Sequence, residues 1–171
     1  CYSRACRRRA WRCNSKKETR VAMGIQEISD RMEINNLLID YCSAVDAKTF
    51  GDFDRIFTAD AVIDYTALGG IRGSVAEIKE YLGRVMPYFG ATQHLIANSR
   101  VWVEGDTARA RTMCHNPMES PLPEGGTQIA FYGLWYVDRL VRTDEGWRIA
   151  ERVEERSYDF NVPPKFKSFG K

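Results

Sequence analysis

"ATQHLIANSRVWVEGDTARARTMCHN", residues Ala91–Asn116, decides how this chain folds, because it holds a hairpin and both of the histidines. Gly105-Asp106 lies between two strand-like runs, Leu95–Val103 and Thr107–Asn116, the pattern of a two-residue hairpin turn. With those two residues as the loop, Glu104 faces Thr107. An uninterrupted ladder then sets His94 opposite Pro117 and His115 opposite Ile96. The two imidazoles become diagonal neighbours on one sheet face, with Cβ atoms roughly 7–8 Å apart. Strand parity argues against this for His115. It shares a side with Arg109 and Arg111, whereas Val101, Val103, Ala108, Ala110 and Cys114 form the more apolar side. An inward His115 therefore needs a bulge that switches the faces.

Upstream of the hairpin the period is helical. From Gln26 to Val45, Ile28, Met32, Ile34, Leu38, Tyr41, Cys42 and Val45 recur at helical spacing, against a polar stripe of Glu33, Asn36, Asp40 and Ser43. "TFGDFDRIF" restarts as a short helix, with Thr49 and Asp52 as a capping box and Phe50, Phe53 and Phe57 as its buried face. "AVIDYTAL" reads as a strand and "GGIRG" as a turn with a strand fragment. "SVAEIKEYLGRVM" is a helix opened by the capping box Ser74–Glu77 and stopped before Pro87. Downstream come the loop "ESPLPEGG" and two long strands, Thr127–Val141 and Gly146–Tyr158, joined by "RTDEG". Helices first and a meander of strands after them predict an α+β fold with helices on one face of a bent antiparallel sheet.

A chain of 171 residues is one domain in length. Residues 1–22 carry eight Lys/Arg against one Glu, and three of the five cysteines fall within the first 13 residues. That segment has no period and no apolar run suited to a secretory signal. The expected organisation is a basic leader, 1–22, disordered or foreign to the domain; a domain, 23–160; and a surface tail, 161–171. Only Cys42 and Cys114 remain in the domain, which suits a reducing cytoplasm and gives no disulfide framework. No apolar run reaches the ~18 residues of a membrane span. Aromatic residues are not interleaved with basic ones, so no nucleic-acid platform is expected. GxGxxG, Walker-type, GxSxG and HExxH motifs are absent, and the two histidines have no metal-ligand spacing; neither cofactor nor metal is expected.

A polar set remains: Asp46 at the end of the first helix, His94 at a strand start, Tyr65 in the first strand, Tyr41 in the first helix, His115, and Arg156 near the end of the last strand. A carboxylate beside an imidazole fixes its tautomer and stabilises the cation after proton uptake. A tyrosine hydroxyl can hold a carbonyl or a water, and an arginine can stabilise an enolate-like anion. Each of these residues also has a purely structural reading, as a turn carboxylate, a core aromatic or a surface ion pair.

"YCSAVDAKTFGDFDRIFTADAVIDY", "TQHLIANSRVWVEGDTARA" and "GLWYVDRLVRTDEGWRIAERVEERSY" together resemble the SnoaL-like branch of the nuclear transport factor 2-like superfamily, over roughly Gln26–Tyr158. Scytalone dehydratase, bile-acid 7α-dehydratase and hexachlorocyclohexane dehydrochlorinase are members. The resemblance implies a cone-shaped barrel, in which a strongly bent, mostly antiparallel sheet wraps N-terminal helices around an internal pocket. It also implies self-association, usually a dimer and in some members a trimer, through the outer sheet face. Residue by residue, Asp46 and His94 are similar to the Asp–His dyad of the eliminating members. Tyr65 resembles a water-orienting tyrosine, His115 a second histidine, Tyr41 a pocket tyrosine and Arg156 a last-strand arginine. Val45 stands where one dehydratase carries a second tyrosine; with Phe57 and Met113 it is a candidate for substrate contact. The implied activity is cofactor-independent elimination or isomerisation of a small, largely apolar cyclic compound. The same fold also serves as a non-catalytic binding or assembly module, so two expectations stand.

Overall fold

The first helix, α1 (Ile25–Asp46), buries Ile34, Leu37, Leu38, Tyr41, Cys42 and Val45 along one stripe. Each large apolar side chain so buried contributes about 1.5–3 kcal/mol. Ile28 and Met32, expected on that stripe, are instead 43% and 63% exposed. Near that level the inward position belongs to Asp30, whose carboxylate accepts from Trp147 Nε1 at 3.2 Å and Arg142 Nη2 at 2.8 Å. The computed structural model describes residues 22–163. The leader and tail expected from the sequence, apart from residues 22 and 161–163, lie outside the described residues.

After α1 a single 3-10 turn leads into α2 (Phe53–Ile56), and Phe57 opens β1 (Phe57–Asp64) instead of closing a helix. Thr49 Oγ1 donates to Asp52 Oδ2 at 2.8 Å and caps no backbone N–H, so the expected box there is a side-chain pair. β2 (Arg72–Ser74) leads into α3 (Val75–Val85), where the Ser74–Glu77 capping box is complete. The four long strands follow: β3 (Leu95–Glu104), β4 (Thr107–Pro121), β5 (Thr127–Thr143) and β6 (Gly146–Phe160). Among the described residues the six strands form one curved, unclosed sheet in the order β2-β1-β6-β5-β4-β3, with three α-helices, a mixed α+β fold. Every pair is antiparallel except β1–β6, which is parallel.

The hairpin turns at Gly105, whose φ of 63° is the left-handed conformation a two-residue loop needs. Glu104 pairs with Thr107 as expected, and the register holds as far as Arg100↔Arg111. There it slips: Ala97 pairs with Met113 and Leu95 with His115. Asn98 and Ser99 together oppose Thr112 alone, which is a β-bulge, with Asn98 at φ 49°. The expectation that His94 and His115 share a face is thereby corrected. On β4 the inward side chains are Thr112, Cys114, Asn116 and Met118, all buried, while Met113 and His115 point to the outer face. β6 carries two more register shifts, each with one extra residue, at Ala150 and Ser157.

An ion pair lies within the core. Arg152 donates Nε and Nη2 to Asp138 at 2.7 and 2.8 Å, with both side chains fully buried. Its guanidinium stacks 3.9 Å from the Tyr41 ring centroid and 4.3 Å from that of Tyr136. Cys42 and Cys114 are both free and buried, and burial pushes each thiol up to about 12. Among the described residues no helix is long and apolar enough to cross a membrane.

Candidate functional site

Asp46 is the last residue of α1 and binds the segment that leads into β3. A carboxylate at a helix C-terminus faces the negative end of the macrodipole, so helix stability does not account for it. Its compensation comes from three donors across the fold. Asp46 Oδ2 accepts the His94 backbone N–H at 2.8 Å, and Oδ1 accepts Thr92 Oγ1 at 2.8 Å. Asp46 Oδ1 also lies 2.6 Å from His94 Nδ1. Burial alone would raise the Asp46 carboxyl, but His94, by hydrogen bond and charge, and the Thr92 hydroxyl hold it below the usual carboxylate range. A carboxylate on Nδ1 fixes that nitrogen as the donor and leaves Nε2 as the basic one. Nε2 accepts from Asn116 Nδ2 at 2.9 Å.

His94 and Asn116 form part of the wall of a cavity of about 120 Å³. Tyr41 and Val45 of α1, Tyr65 beyond β1, and Glu154 of β6 also line it, while Val85, Met86 and Phe89 give it an apolar side. An enclosed volume near 150 Å³ holds a benzene ring, so this cavity has room for about one ring. The Tyr41 and Tyr65 hydroxyls lie 2.6 Å apart, and burial raises both phenols well above their usual range. Tyr65 is held by the turn that folds over it: Leu68 and Gly70 donate their N–H groups to its carbonyl at 3.1 and 3.0 Å. A Cβ on Gly70 would stand 2.6 Å from Tyr65 Cβ, so the close approach requires glycine.

Of the residues named from sequence, Asp46 and His94 are bonded to each other, and Tyr41, Val45 and Tyr65 line the same cavity as His94. Phe57 is buried against Tyr41 and Phe53 and does not line the cavity. Met113 and His115 are on the outer face, where His115 stacks on Phe131 and its Nδ1 pairs with the Tyr158 hydroxyl at 2.9 Å. These two expectations are corrected, and the cause is strand parity. Arg156 is half-exposed, pairs with Asp159 and does not line the cavity. The residues sequence reading missed are Asn116, Glu154 and the Asp138–Arg152 pair. The polar "ANSR" break in β3 was the available signal for Asn116; Glu154 is hidden by the two bulges of β6. Among the described residues no cluster of three or more His, Cys, Asp or Glu is placed to hold a metal.

The mixed α+β scaffold has known counterparts. The family profile of the SnoaL-like domain matches residues 26–153. The chain belongs to that family. An uncharacterised protein of Mycobacterium tuberculosis strain H37Rv is 48% identical over 139 residues, covering 81% of this chain and 93% of the relative. Among solved structures, the Kfla4162 protein of Kribbella flavida superposes with a TM-score of 0.72 at 25% identity, over 79% of this chain and 95% of that one. A Novosphingobium aromaticivorans protein described as a candidate scytalone dehydratase reaches a TM-score of 0.72 at 16% identity, over 82% and 93% of the two chains. The hexachlorocyclohexane dehydrochlorinase of Novosphingobium barchaimii reaches 0.67 at 20% identity, over 81% and 97%. At these last two identities the likeness is one of fold.

Proposed function

We propose that this protein is a cofactor-independent lyase, a dehydratase-like enzyme or an allied isomerase, acting on a small and largely apolar cyclic compound. The observation that carries this reading is the 2.6 Å contact between His94 Nδ1 and Asp46 Oδ1 at the wall of a ring-sized cavity. His94 Nε2 takes a proton from a carbon α to a carbonyl, and Asp46 stabilises the imidazolium that forms. The Tyr41–Tyr65 hydroxyl pair holds the carbonyl oxygen as it gains charge, backed by the Arg152 guanidinium on the Tyr41 ring. In the present geometry Asn116 occupies Nε2, and substrate must displace that bond. The same bond favours the second reading, a binding module whose histidine is a structural anchor.

A panel of cyclic β-hydroxy ketones assayed with wild type, Asp46→Asn, His94→Ala and the double variant separates the two. Asp46→Asn lowers turnover about 10²–10⁴-fold, His94→Ala at least as much, and the double variant little further, because the pair acts as a unit. Turnover undiminished in Asp46→Asn ends the base assignment. Saturable ligand binding without turnover in any variant establishes the binding module.

The same reading gives the protein a second copy of itself as partner. Trp102, 41% exposed, lies on the outer face of the β3–β4 hairpin beside Arg100, Arg109 and Arg111, the composition of a contact surface. Light scattering of wild type and Trp102→Glu tests this: a dimer reduced to monomer supports it, and a monomeric wild type removes it.

A further inference from the structure

Glu154 reaches the cavity from β6, directly across the ladder from Tyr136. It lies two residues from Arg152, yet no ion pair joins the two; Arg152 bonds Asp138 through Nε and Nη2. Among the described residues no hydrogen bond or ion pair engages the Glu154 carboxyl. The titratable and charged groups in range are Arg152 on its own strand, Asp64 of β1, Tyr41 of α1, Tyr65, Tyr81 of α3, Cys114 of β4 and Tyr136 of β5. The one cation among them is already neutralised. Burial pushes the carboxyl up; Arg152 opposes that shift and Asp64 adds to it, leaving Glu154 at about 8. A glutamic acid in this setting is largely protonated at neutral pH and can still give its proton away.

We propose that Glu154 is the proton donor of the reaction, delivering its proton to a departing hydroxyl while His94 takes the proton from carbon. The proposal rests on the elimination reading above and narrows its substrate to a cyclic β-hydroxy carbonyl compound that loses water. The Cα–H bond breaks toward His94 Nε2, and its electron pair forms the C=C bond. The Cβ–O bond breaks, its pair stays on oxygen, and the Glu154 proton completes a water molecule. His94 is left as the imidazolium and Glu154 as the carboxylate; one proton passed from the first to the second through water restores both. The cavity is ring-sized, so groups on its walls flank the same bound ring. Tyr65 is the poorer donor, since its hydroxyl is engaged with Tyr41 and burial raises it well above the ordinary phenol range.

Two measurements test the assignment. In the first, wild type, Glu154→Gln and His94→Ala are given a matched pair of ring substrates, one losing hydroxide as water and one losing chloride, which needs no proton. The ratio of hydroxyl to chloride turnover falls about 100-fold or more in Glu154→Gln, within the usual weight of a general acid. His94→Ala lowers both. An unchanged ratio in Glu154→Gln beside a damaged His94→Ala overturns the donor and leaves the elimination reading standing; an undamaged His94→Ala overturns both. The second measurement needs no substrate. Carbon NMR of glutamate-labelled protein shows one carboxyl titrating near 8 that vanishes in Glu154→Gln. Every glutamate titrating in its ordinary range overturns the proposal.

Discussion

Asn116 sets its side-chain amide 2.9 Å from His94 Nε2, on the nitrogen opposite the one Asp46 holds. The amide Nδ2 faces the ring nitrogen, while Asn116 Oδ1 is buried without a partner and is the atom a rotated amide would offer to an imidazolium N–H. The imidazole is thus flanked by a charged acceptor on one side and an adaptable group on the other. Asn116→Asp replaces the adaptable group with a second carboxylate, which favours the protonated ring. A base already holding its proton cannot take another. Turnover should fall about 100-fold at neutral pH and recover as pH rises, read from a pH–rate profile beside that of wild type. A profile that keeps its shape would show that Nε2 is not the base.

His115 has a different status. Its ring lies on the outer sheet face, bonded to the Tyr158 hydroxyl at 2.9 Å. His115→Ala should therefore leave turnover within about twofold and change stability by roughly 0.5 kcal/mol, the usual effect of a surface substitution. A loss as large as that of His94→Ala would bring His115 back to the reaction.

Asp138→Asn tests the buried pair. It removes the carboxylate bonded to the fully buried Arg152 guanidinium, and the expected cost is about 3–5 kcal/mol in a urea titration. Replacing both partners with apolar residues, Asp138→Leu with Arg152→Met, should recover most of that loss, because no charge is then stranded. A double variant as unstable as Asp138→Asn would mean the stacking of Arg152 on Tyr41 and Tyr136 matters more than its charge.

Two groups of the candidate site should contribute to the pH dependence of stability with opposite sign. The Asp46 carboxyl is depressed in the fold, so its contribution is present above the unfolded value of about 3.9 and lost as pH falls through the folded value. The gap between wild type and Asp46→Asn should close on acidification. Glu154 is raised to about 8, so the folded state holds a proton that the unfolded chain has released. From an unfolded value of about 4.3 upward, stability is lost as pH rises, until the folded value is passed. Glu154→Gln should therefore gain on wild type across that window. Urea midpoints that move in parallel for wild type and Glu154→Gln would contradict the raised value.

Local chemistry is legible in the sequence. The period of α1, the Ser74–Glu77 box, Pro87 after α3 and the Gly105 turn each depend on residues within one or two turns of each other, so the elements follow from the sequence. Asp46 and His94 stand among several polar candidates in the sequence, and likeness to a family singles them out as a pair, since neither residue is distinctive alone. What lies inward beyond a bulge is a different matter. At Asn98 one extra residue changes the pairing register, and every partner of β3 upstream of it moves by one. Asparagine merely permits the left-handed conformation there; the cross-strand pairing of β3 with β4 imposes it. The same applies to β6, where extra residues at Ala150 and Ser157 help decide that Glu154 reaches the cavity. The Asp30–Trp147 and Asp46–His94 bonds join residues 117 and 48 positions apart. Burial of this kind is a property of the packed sheet and helices, because desolvation and partner choice exist only once those distant segments have met.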